Sequence, residues 1–248
     1  MVHRIANPRS RPFGELSVVD VDPLRHVLLE DEPDFSGWQD YAQFLTTDDV
    51  RRLELYLQTL RELAPVPGDI VEIGVFRGGN LKLLALASEV VEPGGTRNLI
   101  GFDTFDGFPR EQLLQPRELD KAAIYDGKSN LQAAVAKLVP LRCSARFVIG
   151  DVVETLARFY QRWGNRVALA YLDVDLLEPS RAALRCLELQ LAVGGRILLD
   201  QYSRDGWSET QAVDEFLRRT GGSFALRRIP GCRAPSAYLE KLCERAEA

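Results

Sequence analysis

The feature that most constrains this chain is an alternation that begins at residue 69 and runs to residue 200. Short apolar runs at 69–73, 98–103, 146–149, 167–175 and 196–200 read as strands. Between them, residues 80–91, 131–138, 152–163 and 178–191 place apolar side chains at helical spacing. Strand–helix alternation of this kind predicts a parallel sheet covered by helices on both faces. The near-continuous apolar character of runs such as VALAYLDVD agrees, because strands buried on both faces need no polar alternation.

The flanks extend the pattern. Thr46 or Thr47 reads as a helix N-cap, followed by Asp48 and Asp49 in the first turn and by Val50, Leu53, Tyr56, Leu57 and Leu60 at helical spacing up to Pro65. Ser208 reads as the start of a helix, with Gln211 as a capping-box partner. Residues 224–229 and 237–242, joined across Pro230-Gly231, predict a closing antiparallel hairpin. Residues 104–127 read as a long polar connection. The expected fold class is therefore α/β: a doubly wound, mostly parallel, seven-stranded sheet with an antiparallel C-terminal hairpin.

Composition bounds the function. The chain has 248 residues, 46% hydrophobic and 27% charged, enough for a sizeable core. Residues 1–45, which mix proline, charge and the aromatics Phe35, Trp38, Tyr41 and Phe44, read as an N-terminal extension serving as a lid or in oligomerisation; 46–248 read as one domain. A net charge of −5 gives no electrostatic attraction to a phosphate backbone, so nucleic acid is not an expected partner. The N-terminus carries no apolar signal segment, and no apolar run approaches the length of a membrane span, so no membrane association is expected. Cys143, Cys186, Cys232 and Cys243 form no C-x-x-C pair; reduced thiols and a cytoplasmic setting are expected.

Ligands of open α/β sheets bind outside the carboxyl ends of the strands, so the strand ends are where chemistry is expected. The first ends in EIGVFRGG (72–79), where Gly74 and Gly78-Gly79 let backbone approach a ligand or simply make a turn. The spacing is not G-x-G-x-x-G, which argues against a nicotinamide oxidoreductase. Asp103 ends the second strand and suits ribose hydroxyls, or a helix cap; Asp151 ends the third and suits an adenine amino group, or again a cap. The fourth and fifth end in Asp173, Asp175, Asp200 and Gln201, a set of hard oxygen donors suited to Mg²⁺ or Ca²⁺ and to removing a proton from a hydroxyl. The only histidines, His3 and His26, lie in the extension, so a base in the sheet must be carboxylate, tyrosine or lysine, the candidate lysines being Lys82, Lys121 and Lys128.

Taken together, VEIGVFRGG, GFDTFDGFP, GDVVETL, LDVDLLEPS and LAVGGRILLDQY resemble the macrocin O-methyltransferase (TylF) family, with RRIPGCRAPSAYL closest to its calicheamicin rhamnosyl O-methyltransferase branch. The resemblance spans roughly residues 50–240 and implies a class I, Rossmann-like methyltransferase using S-adenosylmethionine on hydroxyls of sugars or glycosylated natural products, in a homo-oligomer. It implies that Glu72, Gly74 and Asn80 approach the methionine part of the cofactor, Asp103 the ribose and Asp151 the adenine. It further implies Mg²⁺ on Asp173, Asp200 and Gln201, with Asp173 deprotonating the acceptor. Gln201 departs from the family's acidic ligand and removes one negative charge. Asp175, Tyr202 and Phe108 are candidate substrate contacts; Phe105 and Tyr125 are further lid aromatics. Two alternatives stand beside this reading: a non-catalytic S-adenosylmethionine-binding partner protein, and a relative of the cephalosporin hydroxylases, which the absence of core histidine disfavours.

Overall fold

The computed structural model describes residues 16–22, 46–95, 97–125, 127–202 and 208–244. Among the described residues, eight strands form one sheet: β1 (Ser17–Asp20), β2 (Asp69–Ile73), β3 (Leu99–Asp103), β4 (Ala145–Ile149), β5 (Val167–Leu172), β6 (Leu191–Leu199), β7 (Phe224–Arg228) and β8 (Ala237–Lys241). Their order is β1-β4-β3-β2-β5-β6-β8-β7. The five central strands run parallel, and β8 and β7 close one edge as the expected antiparallel hairpin.

The helices are α1 (Thr47–Glu62), α2 (Gly79–Val91), α3 (Pro116–Tyr125), α4 (Leu131–Leu138), α5 (Val152–Trp163), α6 (Leu177–Gln190) and α7 (Ser208–Thr220). Period-two alternation along the strands divides the core into two layers. Ile70, Leu169 and Tyr171 face α1, α2 and α4 through Tyr56, Leu84 and Leu138. Val71, Ala170 and Leu172 face α5, α6 and α7 through Phe159, Leu184 and Phe216. Phe159 is fully buried and T-packed on Phe102 with ring centroids 5.3 Å apart, and such a ring contributes about 1.5–3 kcal/mol through burial alone.

Local signals fix the ends. Thr46 caps α1 in a reciprocal capping box with Asp49. Asp151 caps α5 at one end, and Gly164, at φ 62°, ends it at the other.

Four expectations are corrected. The sheet has eight strands, not seven: Ser17–Asp20, inside the presumed extension, pairs antiparallel with β4. Residues 104–127 are not merely a connection but hold a 3₁₀ turn (Arg110–Gln112) and α3. β5 ends at Leu172, so Asp173 and Asp175 follow the strand, while β6 starts at Leu191, ahead of the expected residue 196. Ser208 and Gln211 form no capping box: the Ser208 hydroxyl donates to Glu118, and the Gln211 amide donates to Glu215. The aromatics at 35–44, His3 and His26 lie outside the described residues.

Candidate functional site

Strand order reverses between β2 and β5, and a crevice at such a switch point is the expected ligand site of an open α/β sheet. A cavity of about 350 Å³ opens there, at the lower end of the range of small-ligand sites. One half is lined by Gly74, Asp103, Gln112 and Asp151, the other by Arg52, Asp173, Asp175, Asp200 and Gln201.

The glycine turn after β2 has a steric cause. Gly74, at φ 93°, presses so closely on the backbone of Asp173 that a β carbon would overlap the Asp173 carbonyl oxygen. The Gly74 amide donates to Phe102 O at 2.9 Å and the Asp173 amide to Ile73 O at 2.8 Å, so both residues continue the ladder of the strands they follow. Asp103 then organises the turn. Its Oδ2 accepts from the amides of Val75 (2.8 Å) and Phe76 (2.7 Å), and its Oδ1 from the Phe105 amide (2.7 Å) and Ser129 Oγ (3.1 Å). Phe76 and Phe105 both hold positive φ, at 56° and 52°, a strained conformation for an aromatic residue that these bonds help to maintain. Asp151 caps α5 through Val153 N at 2.9 Å and also accepts from the Gln112 side-chain amide.

Behind this wall lies Glu72, 1% exposed. Its Oε1 accepts from Asn80 Nδ2 at 2.9 Å, and Asn80 Oδ1 accepts from the Tyr56 hydroxyl at 2.5 Å. Among the described residues Glu72 Oε2 has no hydrogen-bond partner, and burial pushes the Glu72 carboxyl up to about 8. Neither Glu72 nor Asn80 lines the cavity itself.

The other half is a carboxylate cluster. Burial, then the neighbouring charges of Asp200 and Asp175, push Asp173 well above the ordinary carboxylate range. Asp175, at φ 62°, is also raised by burial, with the Lys121 ammonium opposing the shift. Burial likewise raises Glu209, whose Oε1 accepts from the Gln201 main-chain N–H at 2.9 Å. The Tyr171 hydroxyl donates to Asp200 Oδ1 at 2.5 Å. Lys121, reaching in from α3, pairs with Asp175 and donates to Gln201 Oε1 at 3.0 Å.

Of the candidate substrate residues, Asp175 and Phe108 line the cavity; Tyr202 does not, its hydroxyl donating to Asp214 Oδ1 at 3.0 Å. Tyr125 lines the mouth and meets Phe76 edge-on at 5.7 Å between centroids, while Phe105 turns away onto Phe147. Sequence reasoning assigned no role to Arg52, Gln112, Tyr171 or Glu209. Arg52 donates through Nε to Ala234 O at 3.0 Å and so ties α1 to the β7–β8 connection beside the cavity. Its position on the helical face that carries Tyr56 was the available signal.

The expected Mg²⁺ donor set does not fit a divalent ion in this arrangement. The Gln201 carbonyl faces an ammonium and Asp200 Oδ1 a tyrosine hydroxyl. Among the described residues, no group of three His, Cys, Asp or Glu side chains is disposed to hold a metal.

A family model described as Macrocin-O-methyltransferase (TylF) matches residues 42–230. The chain belongs to this family. A relative from Streptomyces olivaceus, 8-demethyl-8-(2,3-dimethoxy-alpha-L-rhamnosyl)-tetracenomycin-C 4'-O-methyltransferase, is 29% identical over 177 residues, 67% of this chain. The match spans 64% of that relative's length. A crystal structure of a calicheamicin methyltransferase superposes with a TM-score of 0.66 at 26% identity, covering 89% of this chain and 90% of the other. The apo form of that enzyme, described as a TDP-rhamnose 3'-O-methyltransferase, gives 0.61 at 28% identity, covering 89% and 91%. The O-methyltransferase NovP shares the fold, with a TM-score of 0.65 at 24% identity over 78% of this chain and 81% of the other. Among the described residues, no helix is long and apolar enough to cross a membrane.

Proposed function

We propose that this TylF-family chain is an S-adenosylmethionine-dependent O-methyltransferase acting on a hydroxyl of a sugar or glycosylated natural product. The observation that carries the reading is one cavity that joins the glycine turn, Asp103 and Asp151 to the partly buried carboxylate of Asp173. The residues of the first half fit the cofactor: a backbone turn at Gly74 with no room for a β carbon and carboxylate acceptors at Asp103 and Asp151, backed outside the cavity lining by the orphaned oxygen of Glu72. When bound, S-adenosylmethionine supplies the methyl group as a sulfonium electrophile.

Asp173 is the general base. A carboxylate whose proton affinity is raised by burial and by Asp200 is closer to a sugar hydroxyl in basicity than an ordinary aspartate. It takes the hydroxyl proton as the oxygen–carbon bond forms and the carbon–sulfur bond breaks, with the bonding pair leaving on sulfur. Asp173 must first be ionised, so turnover rises with pH through its elevated pKa. Phe108, Tyr125 and Asp175 line the acceptor side. The rhamnosyl and TDP-rhamnose acceptors named for the relatives point to a deoxysugar, free on a nucleotide or attached to an aglycone.

The test is transfer of labelled methyl from S-adenosylmethionine to a panel of rhamnosides and TDP-rhamnose. Incorporation that disappears in Asp173→Asn supports the assignment; incorporation unaffected by that substitution contradicts the role of Asp173.

A further inference from the structure

The helix inside the supposed connection carries three side chains along one face. Glu118, Lys121 and Tyr125 are spaced three and four residues apart on α3, so they share one side. Glu118, 1% exposed, is the pin: it accepts from the amides of Leu114 (2.7 Å), Gln115 (2.8 Å) and Leu177 (2.8 Å) and from Ser208 Oγ (2.6 Å). One turn on, Lys121 enters the carboxylate cluster. Tyr125 follows at the mouth against Phe76.

We infer that the Lys121 ammonium is the resident cation of this carboxylate cluster, standing where an acidic residue at position 201 would hold a divalent metal. Three observations carry the inference. Lys121 bridges Asp175 and Gln201, and both side chains of the ion pair are nearly buried, at 13% and 12% exposure. Asp173, Asp175, Asp200 and Glu209 act on one another across one site, three of them partly buried and Glu209 buried, and the Lys121 charge opposes the repulsion at Asp173, Asp175 and Glu209. The Gln201 amide gives Lys121 a neutral acceptor; an ammonium with a neutral residue leaves the site with the same net charge as a divalent ion with an acidic one. Lys121 is a positioning residue: it fixes Asp175 and Gln201 around Asp173 and does not itself take the acceptor proton.

The inference rests on the methyltransferase reading, and the experiment separates the two. The full chain is titrated with MnCl₂, followed by electron paramagnetic resonance and calorimetry, and separately with S-adenosylhomocysteine. The expected result is no saturable Mn²⁺ binding, turnover insensitive to EDTA and to added MgCl₂, and retained S-adenosylhomocysteine binding. Lys121→Met lowers kcat by more than about tenfold, Lys121→Arg recovers part of it, and both still bind S-adenosylhomocysteine. Lys121→Met combined with Gln201→Asp acquires one-to-one Mn²⁺ binding. Stoichiometric Mn²⁺ binding by the unmodified chain, with turnover lost in EDTA and restored by MgCl₂, would overturn the inference. So would a folded double variant that binds S-adenosylhomocysteine but no Mn²⁺; if that variant does not fold, the titration of the unmodified chain decides alone. Loss of S-adenosylhomocysteine binding by the unmodified chain would instead strike the methyltransferase reading.

Discussion

Gly74 lies against the main chain of Asp173, with no room between them for a β carbon. The turn after β2 and the carboxylate after β5 therefore meet at a backbone contact, and the proposed cofactor and acceptor halves of the cavity share it. Gly74→Ala must displace one strand end from the other. Its φ of 93° adds strain of about 1–3 kcal/mol for a residue with a side chain. The expected outcome is a lower Tm together with loss of both S-adenosylhomocysteine binding and turnover. A variant that kept turnover while losing only affinity would show that the contact does not couple the halves.

Asp173 and Asp103 are expected to fail differently. Asp173→Asn keeps the shape but cannot accept a proton, so kcat falls by about 10²–10⁴ while S-adenosylhomocysteine affinity is largely kept. Asp103→Ala removes the acceptor of three turn amides and Ser129, so affinity falls first. Equal loss of affinity in both variants, measured by calorimetry, would contradict this division of roles.

Glu118 is expected to set the docking of α3. Glu118→Ala leaves the buried Leu177 amide without its partner, at a cost of about 1–3 kcal/mol, read by denaturant unfolding. Glu118→Gln, which retains one carbonyl acceptor, loses less. Equal stability of all three forms would mean that α3 is held by other contacts.

Glu72 predicts a pH dependence of stability. Burial raises its carboxyl from the ordinary 4.5 to about 8, so the ligand-free fold holds a proton that the unfolded chain releases. The associated stability is complete below pH 4.5 and is lost as pH rises to about 8. Glu72→Gln carries no titrating proton there. Its Tm relative to the unmodified chain therefore rises across that interval and levels off above it. A Tm difference that does not change with pH would show that Glu72 titrates normally.

The carboxylate cluster was legible in the sequence because it depends on little besides strand order. Asp173, Asp175, Asp200 and Gln201 follow two apolar runs, and adjacent parallel strands must deliver their ends to one edge. Lys121 was visible as a lysine but had no place, because α3 buries only Glu118 and Ala122 while Leu119 and Ile124 stay exposed. A helix held by a carboxylate leaves no hydrophobic period to read. Gly194 and Gly195 hide the first half of β6 from the sequence, because the chain reaches φ 82° at Gly194 within the strand. β1 offers only four residues along one sheet edge, too few for alternation to register. Asp103 and Asp151 line the cavity, and each also serves the turn or cap that stands beside its expected ligand role, since an acceptor at a strand end meets the backbone amides of the next turn first.

The most direct test of the account is calorimetric titration of the full chain with S-adenosylhomocysteine, repeated on Asp103→Ala. The account predicts saturable one-to-one binding by the unmodified chain and marked weakening in the variant. No binding by the unmodified chain would contradict the assignment of the cavity to an adenosyl cofactor and leave the fold without that function.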